Sequence, residues 1–272
     1  MVRFVDDDGF YEGAYLNRLT TMPDGGLLSQ LRFYLVNTHY LWWARRWIPR
    51  GGRLLELGCG GGVKFFARHA RVTGVDLSRG SLSLLDPEYE HALQADALRL
   101  PLRDAAYDGV VSSYFFEHIP LDQKDTLLAE LRRVLRPGGR IVFLFDVESH
   151  NPIFRALRAD AARYRAAIIE NDRHYGLEPA SSNLARFERA GFRVLAHHAA
   201  NKTLAQHSSV YAWMREYESP VIRSMVRFGA VVSKQPTVGK AYTALVTLLD
   251  DAVEPLFPVD WSRILLVALE RV

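Results

Sequence analysis

Residues 54–62 read Leu-Leu-Glu-Leu-Gly-Cys-Gly-Gly-Gly, a short apolar run feeding a turn built almost wholly of glycine. No other segment restricts the fold as much. An apolar run of this length between turn signals suits a buried strand, and glycines accept backbone angles and close ligand approach that a β-carbon would block. Helical patterning resumes at Val63-Lys64-Phe65-Phe66. The order is therefore strand, glycine turn, helix. In a doubly wound sheet that turn lies outside the carboxyl ends of the strands, where such sheets bind ligands.

The rest of the chain continues the alternation. RLLELG, RVTGVDL, HALQAD, YDGVVSS and GRIVFLFD are strand-like, with helical stretches such as QKDTLLAELRRVLR between them. Strands separated by helices at this interval predict repeated β-α-β units and a parallel sheet with helices on both faces. Ahead of it, LLSQLRFYLVNTHYLWWARRWI reads as an aromatic-rich helix ending at Pro49-Arg50-Gly51-Gly52. Behind it, residues 151–175 are helical and arginine-rich, a helix SNLARFERA stops at Gly191, and FRVLAHH is a further strand. Residues 200–260 are helical with interruptions at Pro220, Pro236, Pro255 and Pro258, before the strand-like RILLVALERV. These shifts predict an N-terminal helical lid over 1–50, an α/β core over 51–199, a helical cap insertion over 200–260 and a closing strand over 261–272.

At 272 residues with 49% hydrophobic and 24% charged side chains, the chain can bury a full core as one large domain with an insertion. Charged residues break every apolar run before it reaches the roughly 18–20 residues of a membrane span, so no membrane insertion is expected. The start, MVRFVDDDGFYEG, places aspartates where a secretory signal needs an apolar core, and a cytoplasmic location is expected. The single cysteine, Cys59, excludes an intrachain disulfide and a multi-cysteine metal site. A formal net charge of +3 leaves no strong footprint for nucleic acid, and none is expected as a partner. The nine histidines show no close spacing of metal-ligand type, so no metal is expected.

Three acids, Glu56, Asp76 and Asp96, fall at the ends of three successive predicted strands. A carboxylate in the second position can accept both hydroxyls of a ribose. One in the third can accept from an exocyclic amino group such as that of adenine. Each aspartate has a plainer reading as a helix N-cap or turn residue. A dinucleotide fingerprint would need its third glycine at position 63, where the chain has Val63. A carboxylate at Glu56 also suits an ammonium or sulfonium better than a pyrophosphate.

ELGCGGG, VDLS, QADALRLPL, YDGVVSSYFFEHI and LRRVLRPGGRIVF together resemble the successive motifs of class I S-adenosylmethionine-dependent methyltransferases, in particular the small-molecule branch related to the ubiquinone and menaquinone methyltransferases. The resemblance covers residues 50–146, with weaker matching through Val194 and the final strand. It implies a Rossmann-like, mostly parallel sheet whose last strand is antiparallel. Gly58, Gly60 and Gly62 would line the amino-acid part of S-adenosylmethionine, and Glu56 would support the loop and the amino group. Asp76 would bind the ribose, Leu77 would lie against the adenine ring, and Asp96 with Ala97 would read the adenine edge. Ser113 would sit beside the methionine moiety, and Pro137-Gly138-Gly139 would form a structural turn.

The implied reaction is in-line methyl transfer to a small, lipophilic or natural-product-like acceptor, leaving S-adenosylhomocysteine. His118, directly after the fourth strand, is the candidate base; its plainer reading is a packing residue at a helix start. His150, His174 and Tyr175 are further candidates, and Tyr11 and Tyr15 would close over the site. The Asn/Asp-Pro-Pro-Tyr type motif of amino-group enzymes is replaced here by SSYFFEH, against adenine or glutamine acceptors. Tyr211, Trp213, Tyr217, Phe228, Tyr242 and Phe257 would wall an acceptor pocket or pack the cap. A monomer or homodimer is expected. Two alternatives stand beside this reading: a nicotinamide-dependent oxidoreductase, and a methyltransferase-like subunit that binds without catalysing.

Overall fold

The computed structural model describes residues 35–206, 220–233 and 236–272. Helix α1 (Leu35–Trp47) precedes β1 (Arg53–Leu57), α2 (Lys64–Ala67), β2 (Arg71–Asp76), α3 (Arg79–Ser83), β3 (His91–Gln94) and β4 (Tyr107–Ser113). Then come α4 (Lys124–Val134), β5 (Leu135–Asp146), α5 (Pro152–Arg158), α6 (Ala161–Tyr164), a π-helical turn (Arg165–Glu170), α7 (Ala180–Arg189) and β6 (Phe192–Ala200). Helices α8 (Pro220–Ser233) and α9 (Pro236–Val253) lead to β7 (Ile264–Arg271).

The strands form one seven-stranded sheet in the order β3-β2-β1-β4-β5-β7-β6. Pairs from β3 to β5 are parallel, as the alternation of strands and helices predicts, and β7 runs antiparallel to both neighbours, as the family resemblance implies. Successive side chains of a strand point to opposite faces, and here each face has its own core. Leu55, Leu57, Ile141, Phe143, Phe145, Val267 and Leu269 join Leu127, Leu131 and Phe187 from α4 and α7. Leu54, Val142, Leu144, Leu266 and Ala268 join Tyr40, Leu41, Ala44 and Ile48 from α1 and its end, with Phe66 from α2. Helix α1 thus lies on a face of the sheet, across β5 and β7. Residues 1–34 of the expected lid, with Tyr11 and Tyr15, lie outside the described residues.

Two boundaries differ from the sequence reading. Strand β3 stops at Gln94, so Asp96 stands in the following loop instead of ending the strand. Strand β5 begins earlier, at Leu135, and pairing with β4 shifts between Tyr107 and Gly109 to accommodate the Pro137–Gly139 turn.

Register also fixes where the chain leaves and rejoins the sheet around β6 and β7. Ile264 opens β7 opposite both Asp146, the last residue of β5, and Ala200, the last of β6. The chain therefore leaves the sheet after Ala200 and re-enters it at Ile264, both at the edge where the parallel strands end. Beyond that edge a third apolar cluster joins Phe154, Leu157, Tyr164 and Ile168 to Met225, Val226 and Tyr242 of α8 and α9. Among the described residues, no helix is long and apolar enough to cross a membrane.

Candidate functional site

The glycine turn is held open by its own backbone and by one acid. Gly58, Gly60 and Gly62 have φ of +58°, +52° and +76°, the left-handed region that L side chains rarely adopt. A β-carbon on Gly58 would stand 2.6 Å from the Phe115 ring, and one on Gly62 would stand 2.6 Å from the Tyr89 ring. Asp76 Oδ2 accepts the Gly60 amide at 2.8 Å, and its Oδ1 accepts the Ser78 amide at 2.9 Å. One carboxylate thereby ties the turn after β1 to the turn after β2. The helix-capping role that the sequence leaves open for Asp76 falls to Ser78, whose Oγ accepts the Ser81 amide at 2.9 Å.

Glu56 lies just inside the end of β1 and is 3% exposed. The Tyr89 hydroxyl donates to its Oε2, while the Val63 amide donates to the Tyr89 oxygen at 2.6 Å. Burial pushes the Glu56 carboxyl up to about 8, against the opposing effect of the hydrogen bonds from Tyr89 and the Val63 amide. Tyr40 of α1 is fully buried, and burial and then the Glu56 charge hold its hydroxyl well above the usual phenol range; contact with Ser113 works the other way. Burial, followed by the charges of Glu56 and Asp76, pushes the Cys59 thiol far up. It stays protonated and is no nucleophile. Sequence reading missed Tyr89 and Tyr40. Tyr89 belongs to no motif and meets Glu56 across 33 residues of chain; Tyr40 is one aromatic among several in an apolar helix.

The remaining predicted positions gather along the same edge. Half-buried Asp96 accepts the Leu98 amide at 2.9 Å, and Ala97 is buried in the core. The Leu77 carbonyl accepts the Gln94 side-chain amide at 3.0 Å. Ser113 ends β4, and its neighbour Ser112 donates to the Leu57 carbonyl at 2.8 Å, locking β4 beside β1. Two residues on, Phe115 covers Gly58.

His118 closes a short 3-10 turn and is buried, with Nδ1 3.2 Å from the Arg173 carbonyl oxygen and its ring edge-on to His174 at 5.0 Å. Glu117, His118 and His174 bring ligand atoms within 4.8 Å of one another, a convergence absent from their spacing in the sequence. Beneath them, buried Lys124 stands 4.2 Å above the Phe116 ring, 3.3 Å from Glu178 and 3.1 Å from Asn183. Burial lowers its pKa to about 8, with Glu178 opposing. His150 is half-buried, and its amide donates to the Asp260 carbonyl at 2.6 Å. Tyr175 is exposed.

Between β6 and β7, Phe228 meets Tyr242 edge-on at 5.4 Å, and Phe257 stacks on Trp261. Tyr211, Trp213 and Tyr217 lie outside the described residues.

A family model described as a methyltransferase domain matches residues 55–143. An O-methyltransferase of Aspergillus nomiae is 35% identical over 118 residues, covering 38% of this chain and 52% of that protein. The 2-phytyl-1,4-naphtoquinone methyltransferase of Synechocystis sp. is 30% identical over 155 residues, covering 50% of this chain and 63% of that protein. The chain thus matches a little over half the length of these curated relatives. Among solved structures, geranyl diphosphate C-methyltransferase of Streptomyces coelicolor, in complex with Mg2+, geranyl diphosphate and S-adenosyl-L-homocysteine, superposes with a TM-score of 0.54 at 15% identity. The overlap covers 89% of this chain and 80% of that one, and it shows a shared fold.

Proposed function

We propose that residues 55–143, which match a methyltransferase domain, form a class I, S-adenosylmethionine-dependent methyltransferase domain, and that the protein moves a methyl group from S-adenosylmethionine to a small, lipophilic acceptor. The carrying observation is the set of hydrogen-bond acceptors at the carboxyl edge. Glu56, Asp76 and Asp96 stand there, and the turn from residue 57 to 63 contains no lysine or arginine. Such an edge, with acceptors for a ribose and for an exocyclic amine, disfavours a pyrophosphate.

In this reading Glu56, fixed by Tyr89, faces the amino group, and the glycine turn admits the amino-acid portion. Asp76 takes the ribose hydroxyls. Leu77 packs on the adenine, Asp96 and Ala97 read its edge, and Ser113 borders the methionine moiety. The bound cofactor supplies an electrophilic methyl group on a sulfonium. What the chain must add is position, exclusion of water and, for a hydroxyl or carbon acid, proton removal. His118 is the proposed base, with its Nδ1 engaged by the Arg173 carbonyl.

We assign residues 200–260 to a cap over the acceptor. Support comes from the register, which sends this segment out from the ligand edge and back to it. Helices that return over this edge can shield the reacting atoms from water. We further expect a cytoplasmic protein, monomeric or homodimeric, with no nucleic acid partner.

The deciding experiment is incubation of the full chain with a metabolite extract and isotopically methyl-labelled S-adenosylmethionine, followed by mass spectrometry. A labelled small molecule formed only with active protein supports the reading. Calorimetric binding of NAD without any response to S-adenosylhomocysteine would overturn it. Replacing residues 203–258 by a Gly/Ser linker should keep cofactor binding and abolish transfer; undiminished turnover would remove the cap assignment.

A further inference from the structure

Away from the glycine turn, three elements distant in sequence converge on one cluster. His39 of α1, His198 of β6 and Asp251 of α9 offer ligand atoms that all lie within 4.8 Å of one another, each from a half-buried side chain. The two imidazoles meet edge-on, with ring centroids 5.1 Å apart. His198 is braced from behind: its Nδ1 lies 2.7 Å from Glu254 Oε2, and Glu254 also takes the Ala199 amide at 3.2 Å and Lys202 Nζ at 3.5 Å. That contact leaves Nε2 turned to Asp251 Oδ1, 3.3 Å away. Both atoms are buried, and their geometry is off the line of a hydrogen bond. The adjacent Asp250 is engaged elsewhere, accepting the amides of Asn201 and, at 2.8 Å, Thr203.

We propose that His39, His198 and Asp251 bind a divalent transition-metal ion of the zinc class, which clamps α1 and the cap helix α9 to β6. Two imidazoles and one carboxylate form a ligand set suited to such ions, with a fourth position for water. Ligand atoms about 2.0–2.1 Å from a tetrahedral zinc stand about 3.3 Å apart, the separation His198 Nε2 and Asp251 Oδ1 already have. A carboxylate behind the distal nitrogen, here Glu254, is the usual support that orients a metal-bound histidine. Charge agrees as well: two carboxylates, Asp251 and Glu254, flank His198, and Lys202 pairs with Glu254. With its ligands at positions 39, 198 and 251, the site has no sequence motif. It is independent of the methyl-transfer reading.

The test uses the full chain, stripped with chelator and titrated with Co2+ and then Zn2+. One Co2+ per chain should bind, with the visible absorption of a four-coordinate nitrogen/oxygen site, and Zn2+ should displace it. His39→Asn and Asp251→Asn should each weaken binding more than about 100-fold, and Glu254→Gln, a positioning change, by about 10- to 100-fold. His118→Asn should leave the affinity unchanged. Wild-type affinity in His39→Asn or Asp251→Asn, or loss of binding in His118→Asn alone, overturns the assignment. X-ray absorption on the wild type needs no substitution: two imidazoles with oxygen ligands support the site, while a sulfur or all-oxygen shell overturns it, as does the absence of any bound ion.

Discussion

The Tyr89 hydroxyl donates to the buried Glu56 carboxyl and accepts the Val63 amide at 2.6 Å, so a single phenol fixes both ends of the glycine turn. Its ring also lies where a side chain on Gly62 would have to go.

Tyr89→Phe removes the bridge and leaves a buried carboxyl and a buried amide without it. The expected loss is about 1–3 kcal/mol of stability, the range for unsatisfied buried groups. Urea denaturation measures it directly. An unchanged midpoint would mean that water or a shifted turn replaces the hydroxyl.

Glu56 makes stability depend on pH in a specific direction. Its folded pKa, about 8, lies above the ordinary value of 4.5, so between these values the folded chain holds a proton that the unfolded chain has released. The contribution is fully present below about pH 4.5 and is lost as pH rises through 8. Glu56→Gln should therefore show a flatter stability profile than the wild type between pH 5 and pH 8.5, read by chemical denaturation. Parallel profiles would place the Glu56 pKa near normal.

Asp76→Ala should have two separable effects. Loss of the acceptor for the Gly60 and Ser78 amides should lower stability by about 1–3 kcal/mol. Loss of the ribose contacts should weaken S-adenosylhomocysteine binding by about 1.5–3 kcal/mol, the range for hydrogen bonds to a charged group. Calorimetry beside thermal melting distinguishes them: reduced melting temperature with normal affinity would leave Asp76 as a turn residue alone.

Gly62→Ala combines a φ of +76° with a β-carbon 2.6 Å from Tyr89. Backbone strain alone costs about 1–2 kcal/mol, and displacing the ring adds to it. In a Tyr89→Ala background the added cost should vanish, leaving the strain. A double-mutant cycle by urea denaturation gives the coupling, and additive effects would show that the ring yields freely.

The sequence by itself determined the alternation of strands and helices, the glycine turn and the two-residue alternation that gives each strand two faces. These depend on neighbours: a period of two sends Leu54 and Leu55 to opposite faces, and glycines at 58, 60 and 62 announce the left-handed turn they adopt. Even so, the local reading placed Asp96 at a strand end, when β3 stops short at Gln94, an exposed edge position that pattern defines weakly. Tertiary structure alone decided which side chains meet. Asp76 reaches back to the Gly60 amide, Tyr89 crosses to Glu56, and His39, His198 and Asp251 converge from helix α1, the edge strand β6 and helix α9. Local patterning is set by backbone sterics and by burial within a few residues. Contacts between distant segments are set by the order of strands and by the crossings between them, which place positions far apart in the chain at adjoining points of one sheet edge.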